Sequence, residues 1–130
     1  MNNIKPPIKE LKKIAKEYRL NYLVLFGSRA DQTARPDSDY DIAYSSKIDV
    51  DYGEEIFLTE KLATTLKIKK IDLVNMSHAG PLLMKEVADK GILITEFTPQ
   101  SFDKFQIYAF MRYIEAKPLF KMRAEYVKNA

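Results

Sequence analysis

The stretch from Gly27 to Asp41, GSRADQTARPDSDYD, constrains this chain more than any other. Tyr22, Leu23, Val24, Leu25 and Phe26 form a continuous apolar run ahead of it, the pattern of a strand buried on both faces. Gly27 ends the run, and glycine permits both a sharp turn and close approach of a ligand. Ser28 is expected to cap a short helix beginning near Arg29. Free N–H groups at such a start form a seat for phosphate, with the serine hydroxyl as a further donor. Taken alone, a Gly-Ser pair fits a plain strand-to-helix turn equally well.

Tyr40, Ile42, Ala43 and Tyr44 favour a second strand around Asp39 and Asp41. Residues two apart in a strand point to the same face, so the two carboxylates should enter one space. Held close, they repel unless one is protonated or a cation joins them. Mg²⁺ suits that role, because it is commonly bound by one or two carboxylates together with substrate phosphates. Two-metal phosphoryl-transfer sites use such groups to serve both the attacking and the leaving oxygen. The other reading of a D-x-D pair is a solvated strand end. A third acid, Asp72, sits within the apolar segment KIDLVNM from Lys70 to Met76. Buried there without a partner it would be costly. If its strand lies beside the Asp39–Asp41 strand, all three carboxylates converge; otherwise Asp72 faces solvent on a half-exposed strand.

Around these motifs the chain alternates helix and strand. Ile8, Leu11, Ala15 and Tyr18 recur at helical spacing after Pro6-Pro7. Asp31 to Ser38 and Lys47 to Gly53 read as polar connections. Leu58, Leu62 and Leu66 mark a helix over residues 53–67. A helix opening near Pro81 and ended by Gly91 follows, then a short strand over Ile92 to Thr95. The last third is helical and aromatic. Phe102, Phe105, Ala109, Tyr113, Ala116 and Phe120 form one stripe, and Tyr108, Phe110, Met111 and Ile114 widen the apolar surface beyond it. Pro118 is expected to kink or break this helix after Lys117. Part of the stripe must cover the sheet. The excess argues for a protein partner, with Arg112 and Arg123 beside the aromatics as in interface hot spots.

Gly27-Ser28, ten intervening residues, then Asp39-Tyr40-Asp41 resembles the GS-x10-DxD signature of the DNA polymerase β-like nucleotidyltransferase superfamily. Asp72 falls where that family places its third carboxylate. The short length resembles the minimal nucleotidyltransferase (MNT) group, and within it the MntA-type antitoxins that partner HEPN-domain toxins. The motif match covers Tyr22 to Asn75. The resemblance implies an α+β nucleotidyltransferase fold, a small mixed twisted sheet flanked by helices. It divides the chain into a core over residues 1–97 and a helical segment over 98–130, packed on the core and contacting a partner.

The resemblance also implies ATP as substrate and two Mg²⁺ ions. Asp39, Asp41 and Asp72 would be metal ligands and catalytic groups, and Gly27, Ser28 and Arg29 nucleotide contacts, with Arg35 a further candidate. The acceptor would be a tyrosine of a HEPN ribonuclease toxin, silenced by AMP in a hetero-oligomer. A small-molecule hydroxyl as acceptor, or neutralisation by binding alone, are the competing readings.

Bulk properties agree with a small enzyme domain. The 130 residues are 46% hydrophobic and 30% charged, enough for one real core. The chain lacks cysteine and has a single histidine, His78, which excludes disulfides and His- or Cys-rich metal sites. No apolar run suggests a membrane span or a signal peptide, so a cytoplasmic location without membrane contact is expected. The net charge of +3 is too mild to call for nucleic acid, and the basic residues look dispersed along the chain.

Overall fold

The computed structural model describes residues 6–129; Met1 and Ala130, the outer limits of the two expected segments, lie outside the described residues. Helix α1 (Ile8–Tyr18) leads into strand β1 (Leu20–Phe26) and the single-turn helix α2 (Ser28–Asp31). Then follow β2 (Tyr40–Ser46), α3 (Tyr52–Leu66), β3 (Ile71–Asn75), α4 (Pro81–Lys90), β4 (Ile92–Glu96) and the long helix α5 (Ser101–Asn129). A short 3-10 turn, Met76–His78, joins β3 to α4.

The four strands form one mixed sheet in the order β3-β2-β1-β4. β1 runs antiparallel to both β2 and β4, while β2 and β3 are parallel. Strand alternation divides the core into two faces. Leu23, Leu25, Ile42, Tyr44, Ile71 and Leu73 pack against Leu11, Ile14 and Tyr18 of α1 and Leu58 and Leu62 of α3. Tyr22, Val24, Phe26 and Ala43 pack against Met84, Val87 and Ala88 of α4 and Phe102, Phe105 and Ala109 of α5. β1 is central to both layers, which explains its unbroken apolar run. Asp51 caps α3 by accepting the Glu54 N–H at 2.8 Å.

Two local expectations are corrected. Ser28 does not cap α2: Gly27 is the cap residue and Ser28 the first helical one. The run turns so abruptly at Gly27 that helical geometry begins one residue early. Pro118 does not break the last helix, which continues to Asn129. Proline removes one N–H bond and crowds the carbonyl four residues back, that of Ile114. The helix is largely exposed around Pro118, so water can take the freed carbonyl.

Candidate active site

The acids gather at the end of the sheet where β1 finishes. Parallel pairing places Asp41 directly opposite Asp72, and antiparallel pairing places Asp41 opposite Phe26. Paired residues on neighbouring strands share a face, so the Asp41 and Asp72 side chains rise together on the α4/α5 side, past the edge of its apolar layer. Asp72 is exposed. The cost of burial is therefore not what brings it to Asp41; the strand register is.

Gly27 closes the other side of this space. Its backbone sits at φ 72° and ψ −153°, a region open essentially to glycine alone. A β-carbon here would overlap Asp41 Oδ2 and stand 3.1 Å from Asp41 Cγ. The missing side chain thus lets the turn touch the carboxylate. The Gly27 carbonyl accepts N–H groups from Ala30 (3.0 Å) and Asp31 (3.1 Å), fixing the single turn of α2.

Like charge crowds Asp41. Its carboxyl is raised from the ordinary aspartate value, first by partial burial, then by the charges of Asp72 and Asp39, by a hydrogen bond with Asp72 and by the more distant Glu86 of α4. Glu86 is the acid that sequence reading missed, because only the fold lays α4 over this face. Asp39 stands just before β2 and its Oδ1 lies 3.6 Å from Lys70 Nζ across an exposed ion pair. Asp41 and Asp72 are therefore an intimate pair, with Asp39 beside them and partnered by a lysine.

No group of three His, Asp or Glu side chains among the described residues is arranged to hold a metal ion. The donor set nonetheless fits Mg²⁺. It consists of oxygens alone, carries excess negative charge and opens to solvent, where waters and substrate phosphates complete the shell of a hard cation.

Arg29 bonds to the loop ahead of β2. Its Nη2 donates to the carbonyls of Ser38 (2.9 Å) and Pro36 (3.2 Å), and its guanidinium lies 4.3 Å from the Tyr40 ring centroid. It ties α2 to the loop that delivers Asp39. Arg35 is exposed in that loop, where its backbone and Ser38 exchange two hydrogen bonds. A glycine turn set against paired carboxylates on parallel strands, in a small α+β domain, is an arrangement suited to positioning a phosphoryl group for transfer.

A family model described as Polymerase beta, Nucleotidyltransferase matches residues 9–100, and the chain belongs to that family. A curated relative, Protein adenylyltransferase MntA of Aphanizomenon flos-aquae (strain 2012/KM1/D3), is 31% identical over 138 aligned positions, covering 95% of this chain and 92% of the relative. A toxin–antitoxin crystal structure with AMP-PNP superposes with TM-score 0.77 at 24% identity, covering 94% of this chain and 98% of that one. A complex of tri-AMPylated Shewanella oneidensis HEPN toxin with an MNT antitoxin gives TM-score 0.70 at 23% identity, over 92% and 94% of the two chains. These structural likenesses establish the nucleotidyltransferase fold. Among the described residues no helix is long and apolar enough to cross a membrane.

Proposed function

We propose that this chain is a Mg²⁺-dependent antitoxin that transfers AMP from ATP to a tyrosine hydroxyl of a cognate HEPN ribonuclease, silencing it in the cytoplasm. The observation that carries the reading is the register of Asp41 on Asp72 against the Gly27 turn. Its support is the family, the 31% identical protein adenylyltransferase, and the AMPylated toxin bound to a protein of the same fold.

In this reading Gly27 and Ser28 seat the β and γ phosphates through backbone N–H groups and the serine hydroxyl. Asp39, Asp41 and Asp72 would hold two Mg²⁺ ions, Asp39 exchanging Lys70 for a cation. Bound there, the metal supplies charge neutralisation for the triphosphate and acidifies the acceptor hydroxyl. Asp72, the most open of the pair, takes the acceptor proton and passes it to solvent. The tyrosine oxygen forms its bond to the α-phosphorus as the bond to pyrophosphate breaks. Arg29 positions the loop carrying Asp39 rather than gripping phosphate. AMP on the toxin adds charge and bulk where RNA would bind.

The segment over 98–130 supplies the grip. The first part of α5 belongs to the core, with Phe102 and Phe105 at 7% and 9% exposure. Ile107, Phe110, Met111 and Ile114 recur at i, i+3, i+4 and i+7 on another side of the helix and are 49–62% exposed. Such an apolar stripe matches a protein surface.

The test is incubation of the purified chain with labelled ATP, Mg²⁺ and the HEPN protein encoded beside it. Label on a toxin tyrosine, lost in Asp39→Ala/Asp41→Ala, is expected. Absence of transfer, or equal transfer by the variant, rejects the proposal; rescue of growth by the variant at equal expression would favour neutralisation by contact.

A further inference from the structure

The far end of the sheet carries a second concave surface. A cleft of about 750 Å³ opens between the end of α1, the start of β1 and the end of β4. Lys12, Lys16, Arg19 and Lys47 line it above a floor of Ala15, Leu20 and Phe97. Leu20 begins β1 and Phe26 ends it, so the cleft lies about 20 Å from the acids at a strand rise of roughly 3.3 Å per residue. It is a different site from the catalytic one.

Its charge is uncompensated. None of the four cations forms a salt bridge among the described residues. The cleft's one carboxylate, Glu96, is directed at the start of α5, where it accepts N–H groups from Gln100 (3.2 Å) and Phe102 (3.3 Å). Lys16 and Arg19 also complement the negative C-terminal end of α1. Lys12, a turn earlier, and Lys47, from beyond β2, have no such explanation. The fold fixes Lys47 here: its N–H donates to the Arg19 carbonyl at 2.9 Å. Residues up to 35 positions apart, dispersed in sequence, become one basic rim.

We infer that this cleft binds the phosphates of a nucleotide ligand, with the cations on phosphate and the half-buried Phe97 at the floor against ribose or base. The cleft volume lies within the range of small-ligand sites. Cations around an apolar floor match a group that is anionic on one side and flat and apolar on the other, as a nucleotide is. The same chemistry comes from a free nucleotide or from an RNA strand.

Fluorescence anisotropy of the whole chain separates the two sources. The probes are a labelled oligouridylate and a labelled ATP analogue in Mg²⁺-free buffer, which disfavours a triphosphate at the acid end. The variant Lys12→Ala/Lys16→Ala/Lys47→Ala changes only exposed side chains. Binding of either probe, weakened at least about tenfold in the variant, is expected. For the RNA strand the log–log salt slope should fall by roughly 2, near 0.7 per lost phosphate contact. Loss for the oligonucleotide alone identifies a strand site; loss for the ATP analogue alone identifies a mononucleotide site. No binding of either probe, or equal binding by the variant, overturns the inference. AMP transfer by the variant is a separate readout, so this outcome leaves the adenylylation reading to its own test.

Discussion

At the Phe26 end of the sheet the groups that face solvent together are charged; along the outer side of α5 they are apolar. Asp41, Asp72 and Asp39 crowd one another, and Asp41 responds with a raised proton affinity. Ile107, Phe110, Met111 and Ile114 make no such demand on their neighbours and simply stand in water. The first region suits a cation and a phosphate chain, the second another protein's surface. In the proposed function chemistry and grip are thus carried by different elements, the strand ends and the last helix, and each can be damaged alone.

The sharpest break should come from Asp41→Asn. We expect AMP transfer to fall about 10³-fold, the scale of removing a group that acts directly on transition-state charge, while the toxin complex persists. The same substitution should raise the melting temperature of the metal-free protein. A carboxyl whose folded proton affinity is raised favours the fold below its unfolded pKa and loses that contribution as pH rises through the folded pKa. The stabilisation by Asp41→Asn should therefore be largest near neutral pH and fade as pH drops through the carboxylate range. Thermal scans across pH check both sign and window.

Gly27→Ala should cost activity about 10²-fold and stability about 1–3 kcal/mol, since a side chain there meets both a glycine-only backbone conformation and Asp41. Denaturant unfolding measures the second quantity. On the other side of the comparison, Phe110→Glu/Met111→Glu should weaken the toxin complex by about 2 kcal/mol, roughly thirtyfold, without lowering the melting temperature. Calorimetric titration decides it. The smallest effect is expected for Arg29→Lys. Loss of the paired carbonyl contacts and of stacking on Tyr40 should cost about 1 kcal/mol and a few-fold in KM for ATP, with kcat little changed.

The charged region was legible in sequence to an unusual degree because its parts are local. The apolar run, Gly27 and the D-x-D pair lie within one strand–turn–strand unit. Asp72 was legible as a candidate only, since its place opposite Asp41 depends on parallel pairing between strands separated by α3. Ser28 was misread as a cap because the tightness of the Gly27 turn is a backbone property that residue type alone does not report. Arg29 was read as a phosphate contact, and its bonds to the Pro36 and Ser38 carbonyls, which carry no side-chain signal, were not legible. The stripe that opens with Phe102, Phe105 and Ala109 followed from helical period, and Phe110, Met111 and Ile114 were read as added apolar surface, but Ile107 was not; continuation through Pro118 depends on solvent access to the Ile114 carbonyl. The basic rim was invisible because Lys47 meets α1 only in the folded chain.

The central claim, that Asp41 and Asp72 make the AMP-transfer site while α5 holds the acceptor protein, is tested most directly by the intact mass of the HEPN partner. It would be purified in complex with the wild-type chain, with Asp41→Asn and with Asp72→Asn. The account predicts AMP adducts on a tyrosine with the wild type and an unmodified partner, still bound, with either variant. An unmodified partner from the wild-type complex incubated with ATP and Mg²⁺, or adducts undiminished by both substitutions, would contradict it.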